Sequence, residues 1–399
     1  MADTFSVHQI LTINSGSSSI KFALYRMGAA EELRFEGKLD RIGVEGGHFL
    51  AQNQAGNNLV MRRVELPDHE AALQTLFDWL QAEQVSTELT GVGHRLVHGG
   101  RGHVKTQKIS PRTLADIKKL VPLAPDHLPH EIRAIEVVSV LFPELTQVAC
   151  FDTAFHRQMP AVAQRYPLPE KYTGAVVIRY GFHGLSYEFL LQELAREAGG
   201  AAAKGRIIMA HLGNGASMAA LHDGKSLDTT MGMTPTGGLV MSTRSGDLDP
   251  GVILYLLREE GLAVEEVNTL LNKEAGLLGT SGISSDMQDL LDREASDAGA
   301  AAAVELFCYA AKKFVGALSA ALGGLDTLVF TGGIGENAPV IRARICQNLS
   351  FLGIDLDEAG NAANSPIISR PESRVTVRVM QTNEELMIAR HTRDLLVRG

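Results

Sequence analysis

Four short glycine-rich turns hold most of the residues in this sequence that could do chemistry. They lie at 14–19 (NSGSSS), 213–217 (GNGAS), 237–246 and 332–335 (GGIG), each read as following an apolar strand. Glycine frees backbone N–H groups, and the Asn, Ser and Thr side chains add donors. Several such turns at the carboxyl ends of strands suit a phosphate-rich ligand gripped from more than one side. The first turn also brings the hydroxyls of Ser17 and Ser19 and a cation, Lys21. A Walker A loop is excluded: Gly224-Lys225-Ser226 resembles its end, but Ala219 stands where the first glycine is needed. The run at 332–335 lacks the GxGxxG spacing of a dinucleotide fold.

Two arginines lie among small residues, Arg95 in GHRLVHGG and Arg244 in MSTRSGDLDPG. An arginine in such a setting is aimed at an anion or paired with a neighbour such as Asp247. His94, His98, His127, His183 and His211 also fall in turn-rich stretches, where a packed or surface histidine is the ordinary reading. His183 stands out, because Gly181 and Gly184 let its backbone approach a ligand closely. Asp152 ends the strand QVACF, where site residues gather; the simpler reading is a cap for 153–155. Glu384, opening the last helix, either complements the helix dipole or binds magnesium, which takes one or two protein oxygens plus water and phosphate.

These residues need elements to hold them. Residues 10–25 read as strand, turn, strand, and 206–221 repeat that plan, so two related domains are expected. Between them, 36–61 reads as turns and short edge strands. Helices are expected at 68–81, 111–120 and 130–141, a short strand running into a glycine turn at 91–100, and a strand at 147–151. The second half reads as a strand at 175–180, helices at 186–198 and 297–322, and strands at 326–330 and 374–380. Thr382 with Glu385 fits a capping box for the terminal helix. Alternating strands and helices make the class α/β, with a boundary near Asp152.

At 399 residues the chain is long for one core. Its net charge of −9 argues against nucleic acid or an anionic membrane as partner, while leaving room for a local basic pocket. Cys150, Cys308 and Cys346 are sparse and sit among apolar neighbours, as reduced core thiols of a cytosolic protein do. The stretch MADTFSVHQ has no signal-peptide character, and no apolar run reaches the roughly 18–20 residues of a membrane span.

Taken together, TINSGSSSIK (12–21), FDTAFH (151–156), RYGFHGLS (179–186), HLGNGAS (211–217), TRSGDLDPG (243–251), GISSD (282–286), GGIGEN (332–337) and TNEEL (382–386) resemble the motifs of the acetate kinases, in order and over nearly the whole chain. The resemblance implies the actin-like ATPase superfold, two ribonuclease H-like domains with a nucleotide cleft between them. It places 1–152 plus 385–399 in the first domain and 153–384 in the second, which would carry the nucleotide site and a dimer surface. It implies a cytoplasmic homodimer that makes acetyl phosphate, a precursor of acetyl-CoA, from ATP and acetate by reversible in-line transfer with magnesium or manganese. By the same resemblance Arg95 holds the carboxylate, Arg244 and His183 stabilise the transition state, and Asp152 is the catalytic carboxylate. Asn14 and Glu384 match the metal positions. Lys21, His211, Leu212, Gly213, Asn214, Gly215, Asp286, Met287, Gln288, Gly333, Ile334, Gly335, Glu336 and Asn337 match the nucleotide positions, and Val97, Phe182 and Pro235 the acyl pocket. A carboxylate is already ionised at neutral pH, so no base is needed, and Asp152 is expected to orient arginine or magnesium.

The chain departs from the family pattern at four places. Gln288 replaces an arginine, which bears on nucleotide preference, and Asp126 replaces an apolar residue before His127, which bears on the acyl tail. Tyr187 replaces a histidine, and Thr236-Gly237 a bulkier Leu-Glu pair. Three other readings compete. One is a kinase for propionate or another short acid, or one using another phosphoryl donor. A second is a sugar or glycerol kinase, in which Asp152 would be the base. The third is an actin-like or chaperone-type ATPase with protein partners.

Overall fold

The computed structural model describes residues 7–173 and 176–398. The chain divides into two compact units, Met1–Ala154 with Asn383–Gly399, and Phe155–Thr382.

The first unit opens with β1 (His8–Ser15) and β2 (Ser19–Met27), an antiparallel hairpin that sets Asn14 opposite Lys21. The meander continues through β3 (Glu31–Asp40), β4 (Gly47–Asn53) and β5 (Asn58–Val64). The stretch expected to be turns and short edge strands is thus three full strands. Its glycines and asparagines mark the turns between them, and inward residues such as Phe35, Leu39 and Phe49 are buried at alternate positions. After α1 (His69–Ala82), capped by Asp68, the chain forms β6 (Gly91–Leu96), β7 (Gln107–Lys108), α2 (Pro111–Lys118), α3 (Leu128–Leu141) and β8 (Thr146–Phe151). The sheet order is β5-β4-β3-β2-β1-β6-β8-β7, with β1, β6 and β8 parallel. Phe22, Phe35, Phe49 and Trp79 pack edge to face or tilted in its core.

The second unit repeats the plan. Helix α4 (Gly184–Ala198) leads to β9 (Ile207–Leu212), β10 (Ala216–His222) and β11 (Lys225–Thr229). Then come α5 (Pro250–Arg258), α6 (Met287–Arg293), α7 (Ala298–Leu322), β12 (Thr327–Thr331), α8 (Gly332–Asn337), α9 (Pro339–Cys346) and β13 (Thr376–Val379). The order β11-β10-β9-β12-β13, with β9, β12 and β13 parallel, matches β3-β2-β1-β6-β8 strand for strand. Three expectations fail here. Of the strand expected at 175–180, Ala175 lies outside the described residues, and 176–180 form no strand. That segment is held by a side chain: Arg179 Nη1 donates to the carbonyls of Thr229, Thr230 and Met231. The third glycine turn, 237–246, lies in a long irregular segment and does not directly follow a strand. The fourth is no free turn but the start of α8.

The chain then returns to the first unit as α10 (Glu384–Val397), which packs on β1, β2, β6 and β8. A side chain at Gly93 of β6 would strike Ile388 and Thr392 at 2.4 Å, so glycine is what lets α10 lie this close. Its cap is Asn383, whose Oδ1 accepts from Leu386 N at 2.8 Å, and not the expected Thr382. Among the described residues no helix is long and apolar enough to cross a membrane.

Candidate active site

In the first unit the polar residues gather at the carboxyl ends of β1, β6 and β8. Arg95 sits on β6, and Asp152 directly follows β8. Arg95 Nε donates to Asp152 Oδ1 and Oδ2 at 3.1 and 3.2 Å, and Nη2 donates to Oδ2 at 2.6 Å. Nη1 donates to Asn14 Oδ1 at 3.2 Å, and Glu384 Oε2 lies 3.6 Å from Nε. Burial alone would depress the pKa of Arg95, but Asp152 and Glu384 outweigh it and hold the guanidinium charged. Asp152 is 1% exposed and Arg95 21%. The carboxylate is therefore the buried anchor, and Arg95 is the partner that keeps some exposed surface. Of five guanidinium N–H donors, one each on Nε, Nη2 and Nη1 is engaged, which leaves two for an incoming anion.

Asn14 and Glu384, the expected metal ligands, thus meet around Arg95 through their oxygens. A carboxamide and a carboxylate oxygen are hard donors of the kind magnesium takes in ones and twos, so the pair fits that ion chemically. Among the described residues no cluster of three or more His, Cys, Asp or Glu could hold a metal by itself. Ser17 is exposed and Ser19 half-buried on the β1–β2 turn, with Gly16 N donating to Ser19 O at 2.8 Å. Lys21 is exposed on β2.

Two residues of this unit escaped the sequence reading. His69 Nε2 donates to Gly16 O at 2.7 Å and so braces the first turn; His130 stacks on it at 4.1 Å. Burial and His69 lower the pKa of His130 against the opposing pull of the Asp126 charge. Glu131, buried on α3, accepts from Val97 N at 3.0 Å through Oε2. Burial lifts its carboxyl to about 8, although the Val97 N–H and Arg95 favour ionisation. Neither residue sits in a motif; His69 opens an ordinary helix and Glu131 lies within one.

The second unit carries the other cluster, centred on the β9–β10 turn. A Cβ built on Gly215 would lie 3.3 Å from His183 Nε2 and 3.6 Å from Arg244 Nη1. His183 and Arg244 therefore converge on this turn. Asn214 is tied down by Ser242, whose N donates to Asn214 O at 3.1 Å. Arg244 Nη1 donates to Pro235 O at 3.2 Å. Asp247, its alternative partner by sequence, accepts from Gly238 N at 2.7 Å. His183 and His211 stack at 4.3 Å. Each has a hydroxyl on Nδ1: Ser217 for His183 at 2.8 Å and Ser186 for His211 at 2.9 Å.

Phe182 and Pro235 are buried in this unit and Val97 in the first. His156, neutral because burial lowers its pKa to about 4, donates from Nε2 to Phe182 O at 3.0 Å. Leu212 is core. Gly333, Ile334, Gly335, Glu336 and Asn337 form α8. Glu336 Oε1 accepts from Gly332 N at its start, and the buried Arg342 donates to Gly335 O and Glu336 O at its end. Asp286 caps α6 by accepting from Gln288 N and Asp289 N. Met287 turns into the core, and the Gln288 carboxamide donates to Asp292 at 2.8 Å.

The model of the acetokinase family matches residues 9–390. The acetate kinase of Rhodopseudomonas palustris (strain TIE-1) is 46% identical over 388 residues, covering 96% of this chain and 97% of its own. That of Coprothermobacter proteolyticus is 43% identical over 400 residues, covering 98% and 99%. Among solved structures, an acetate kinase from Porphyromonas gingivalis superposes with a TM-score of 0.89 at 39% identity, covering 98% of this chain and all of its own. A propionate kinase from Francisella tularensis gives 0.92 at 38%, covering 97% of this chain and all of its own.

Proposed function

The chain belongs to the acetokinase family, and on that premise we propose that it transfers the γ-phosphoryl of ATP reversibly to acetate, giving acetyl phosphate. The fold is the two-domain actin-like ATPase fold of its relatives, and the enzyme class is a short-chain carboxylate kinase. The observation that carries the acceptor is Arg95, oriented by Asp152 and Asn14 with two donors left. A planar fork of this kind matches a carboxylate.

The chemistry follows from charge. The acceptor carboxylate is already an anion near neutral pH. It must be brought against a triphosphate that repels it. Arg95 neutralises and aims the acceptor. Asp152 does not take a proton here; both its oxygens accept from Arg95, so its part is to hold that guanidinium. This weighs against a sugar kinase, where the same carboxylate would have to act as base. Arg244 and His183, converging on Gly215, offer N–H donors to the charge that spreads over the moving phosphoryl oxygens. The turns at Ser17, Ser19 and 213–215, with Lys21 and α8, supply donors for the nucleotide phosphates. Magnesium or manganese held by Asn14 and Glu384 would neutralise phosphate charge.

Val97 of the first unit, and Phe182 and Pro235 of the second, are the buried apolar residues proposed to meet the acyl tail. A methylene is worth only about 1–3 kcal/mol in such a pocket, so propionate is the second substrate to expect. We place the enzyme in the cytoplasm, where ATP is at hand and its three buried cysteines stay reduced. We also propose a homodimer through α5, an apolar helix with no buried residue.

The test is trapping with hydroxylamine, which turns an acyl phosphate into a hydroxamate. Acetate, propionate, butyrate and glycolate are compared with ATP, GTP and pyrophosphate as donors. Hydroxamate formed fastest, by kcat/KM, from acetate and ATP supports the reading. Its absence with every carboxylate, alongside phosphorylation of glycerol or a sugar, would overturn it.

A further inference from the structure

His183 is held in an unusual way. Its backbone is left-handed, with φ of 57°, directly before α4. Its ring lies flat against His211 with centroids 4.3 Å apart and planes 20° from parallel, so one face is blocked. Its Nδ1 is 2.8 Å from Ser217 Oγ. Ser217 Oγ is in turn 2.5 Å from the phenolic oxygen of Tyr187. Both Ser217 and Tyr187 are wholly buried, so these bonds form away from water, where their polarity matters most.

The direction of the two bonds follows from acidity. A phenol, with a pKa near ~10, is far more acidic than an alkyl hydroxyl, and an imidazole nitrogen is the strongest acceptor of the three. The favoured order is Tyr187 Oη–H donating to Ser217 Oγ, and Ser217 Oγ–H donating to His183 Nδ1. The imidazole is then neutral with its proton on Nε2. That is the nitrogen 3.3 Å from the Cβ position of Gly215, a point that Arg244 Nη1 also approaches, to 3.6 Å. We propose that Tyr187 and Ser217 form a buried relay that fixes His183 as the Nε2–H tautomer, making both positioning residues for phosphoryl transfer. The link to transfer rests on the reading of His183 as a donor to the moving phosphoryl; the tautomer itself does not. A histidine protonated only on Nδ1 would present a lone pair to phosphate oxygens and repel them.

Nitrogen-15 NMR of the histidine rings in the intact protein reads the tautomer directly. In the wild type His183 is expected almost wholly as Nε2–H. Ser217→Ala should let the Nδ1–H form rise to a large share, and Ser217→Thr, which keeps the hydroxyl, should restore the original signal. In steady state, Ser217→Ala is expected to lower kcat about tenfold or more, with the carboxylate KM changed less than about twofold, as for a group acting in the transition state. Tyr187→Phe should lower kcat about three- to tenfold. The double variant should be no slower than Ser217→Ala, since both act through one bond. Unchanged His183 nitrogen shifts in Ser217→Ala would overturn the relay, as would losses that simply multiply in the double variant. A changed tautomer with unchanged kcat would confirm the relay while removing His183 from the transfer step.

Discussion

At Gly215 a side chain would crowd the groups that face the turn. A methyl group there would sit 3.3 Å from His183 Nε2 and 3.6 Å from Arg244 Nη1. Gly215→Ala is therefore expected to lower kcat about tenfold with little change in melting temperature, because its φ is not in the left-handed region; near wild-type turnover would show that the two groups do not act at this turn. If Arg244 donates to the moving phosphoryl as proposed, Arg244→Ala removes a preorganised donor, an effect typically worth about 3–4 kcal/mol of barrier. Single-turnover rates should fall at least ~10²-fold with the circular dichroism spectrum intact, and a variant with ordinary turnover would take Arg244 out of the mechanism. Glu131 gives a pH signature. Its carboxyl ionises at about 8 in the folded chain, against about 4.3 unfolded. Between those values the folded state holds a proton that the unfolded state has lost, so stability falls as pH rises. Glu131→Gln keeps an acceptor for Val97 N and abolishes that fall. Its melting temperature should exceed wild type by roughly 5 °C near pH 9 and match it near pH 5; parallel curves would refute the assignment. The arginines and Asp152 could be singled out from sequence because glycine-rich or strand-end settings mark them. His69 and Glu131 could not be found this way, and Ser217, although it lies in the glycine-rich turn at 213–217, could not be linked to His183 from sequence. They act on backbone carbonyls, amides or another side chain, and such pairings are contacts between segments far apart in the chain.

Helix α8 shows how an element can depend on one distant side chain. It is too short to be stable alone, and Arg342 donates to Gly335 O and Glu336 O at 2.8 and 3.0 Å while also holding Asn361 and Asn364. Arg342→Ala should cost about 3 kcal/mol through the stranded carbonyls and raise the KM for ATP more than that for acetate. Denaturant titration and two-substrate kinetics would check this; an unchanged ATP KM would separate α8 from the nucleotide. Helix ranges were legible where the apolar periodicity was strong, as at 68–81 and 297–322; the structure begins each one residue later, with Asp68 and Asp297 accepting from the first turn as caps. Element ranges were not legible where a side chain replaces a ladder, as Arg179 does for 176–180. The cap of α10 shifted by one residue because Asn383 reaches Leu386 N while Thr382 bonds Ser186 Oγ instead.

Across the whole molecule, the shared strand order of the two sheets is what the two hairpins at 10–25 and 206–221 foreshadowed. A hairpin carries its own sequence signature, whereas the parallel neighbours β6, β8, β12 and β13 are set by long-range pairing. Helix α5 presents Val252, Leu254 and Tyr255, exposed by 42%, 47% and 55%. If this face joins two copies, Leu254→Glu should halve the mass seen by light scattering, because a buried charge without a partner is costly; an unchanged mass would place the dimer surface elsewhere. A last consequence concerns synthesis. The first unit is built from residues that leave the ribosome first, yet it is closed by α10, which is translated after the whole second unit. Until the codons for 384–397 have been read, the sheet lacks the helix that covers Gly93, and Glu384 cannot reach Arg95. The second unit can complete its sheet beforehand. The later-encoded half is thus free to fold first, and a message cut short before α10 is expected to yield a chain whose first sheet lacks its covering helix and whose Arg95 lacks Glu384, open to proteolysis at that uncovered face.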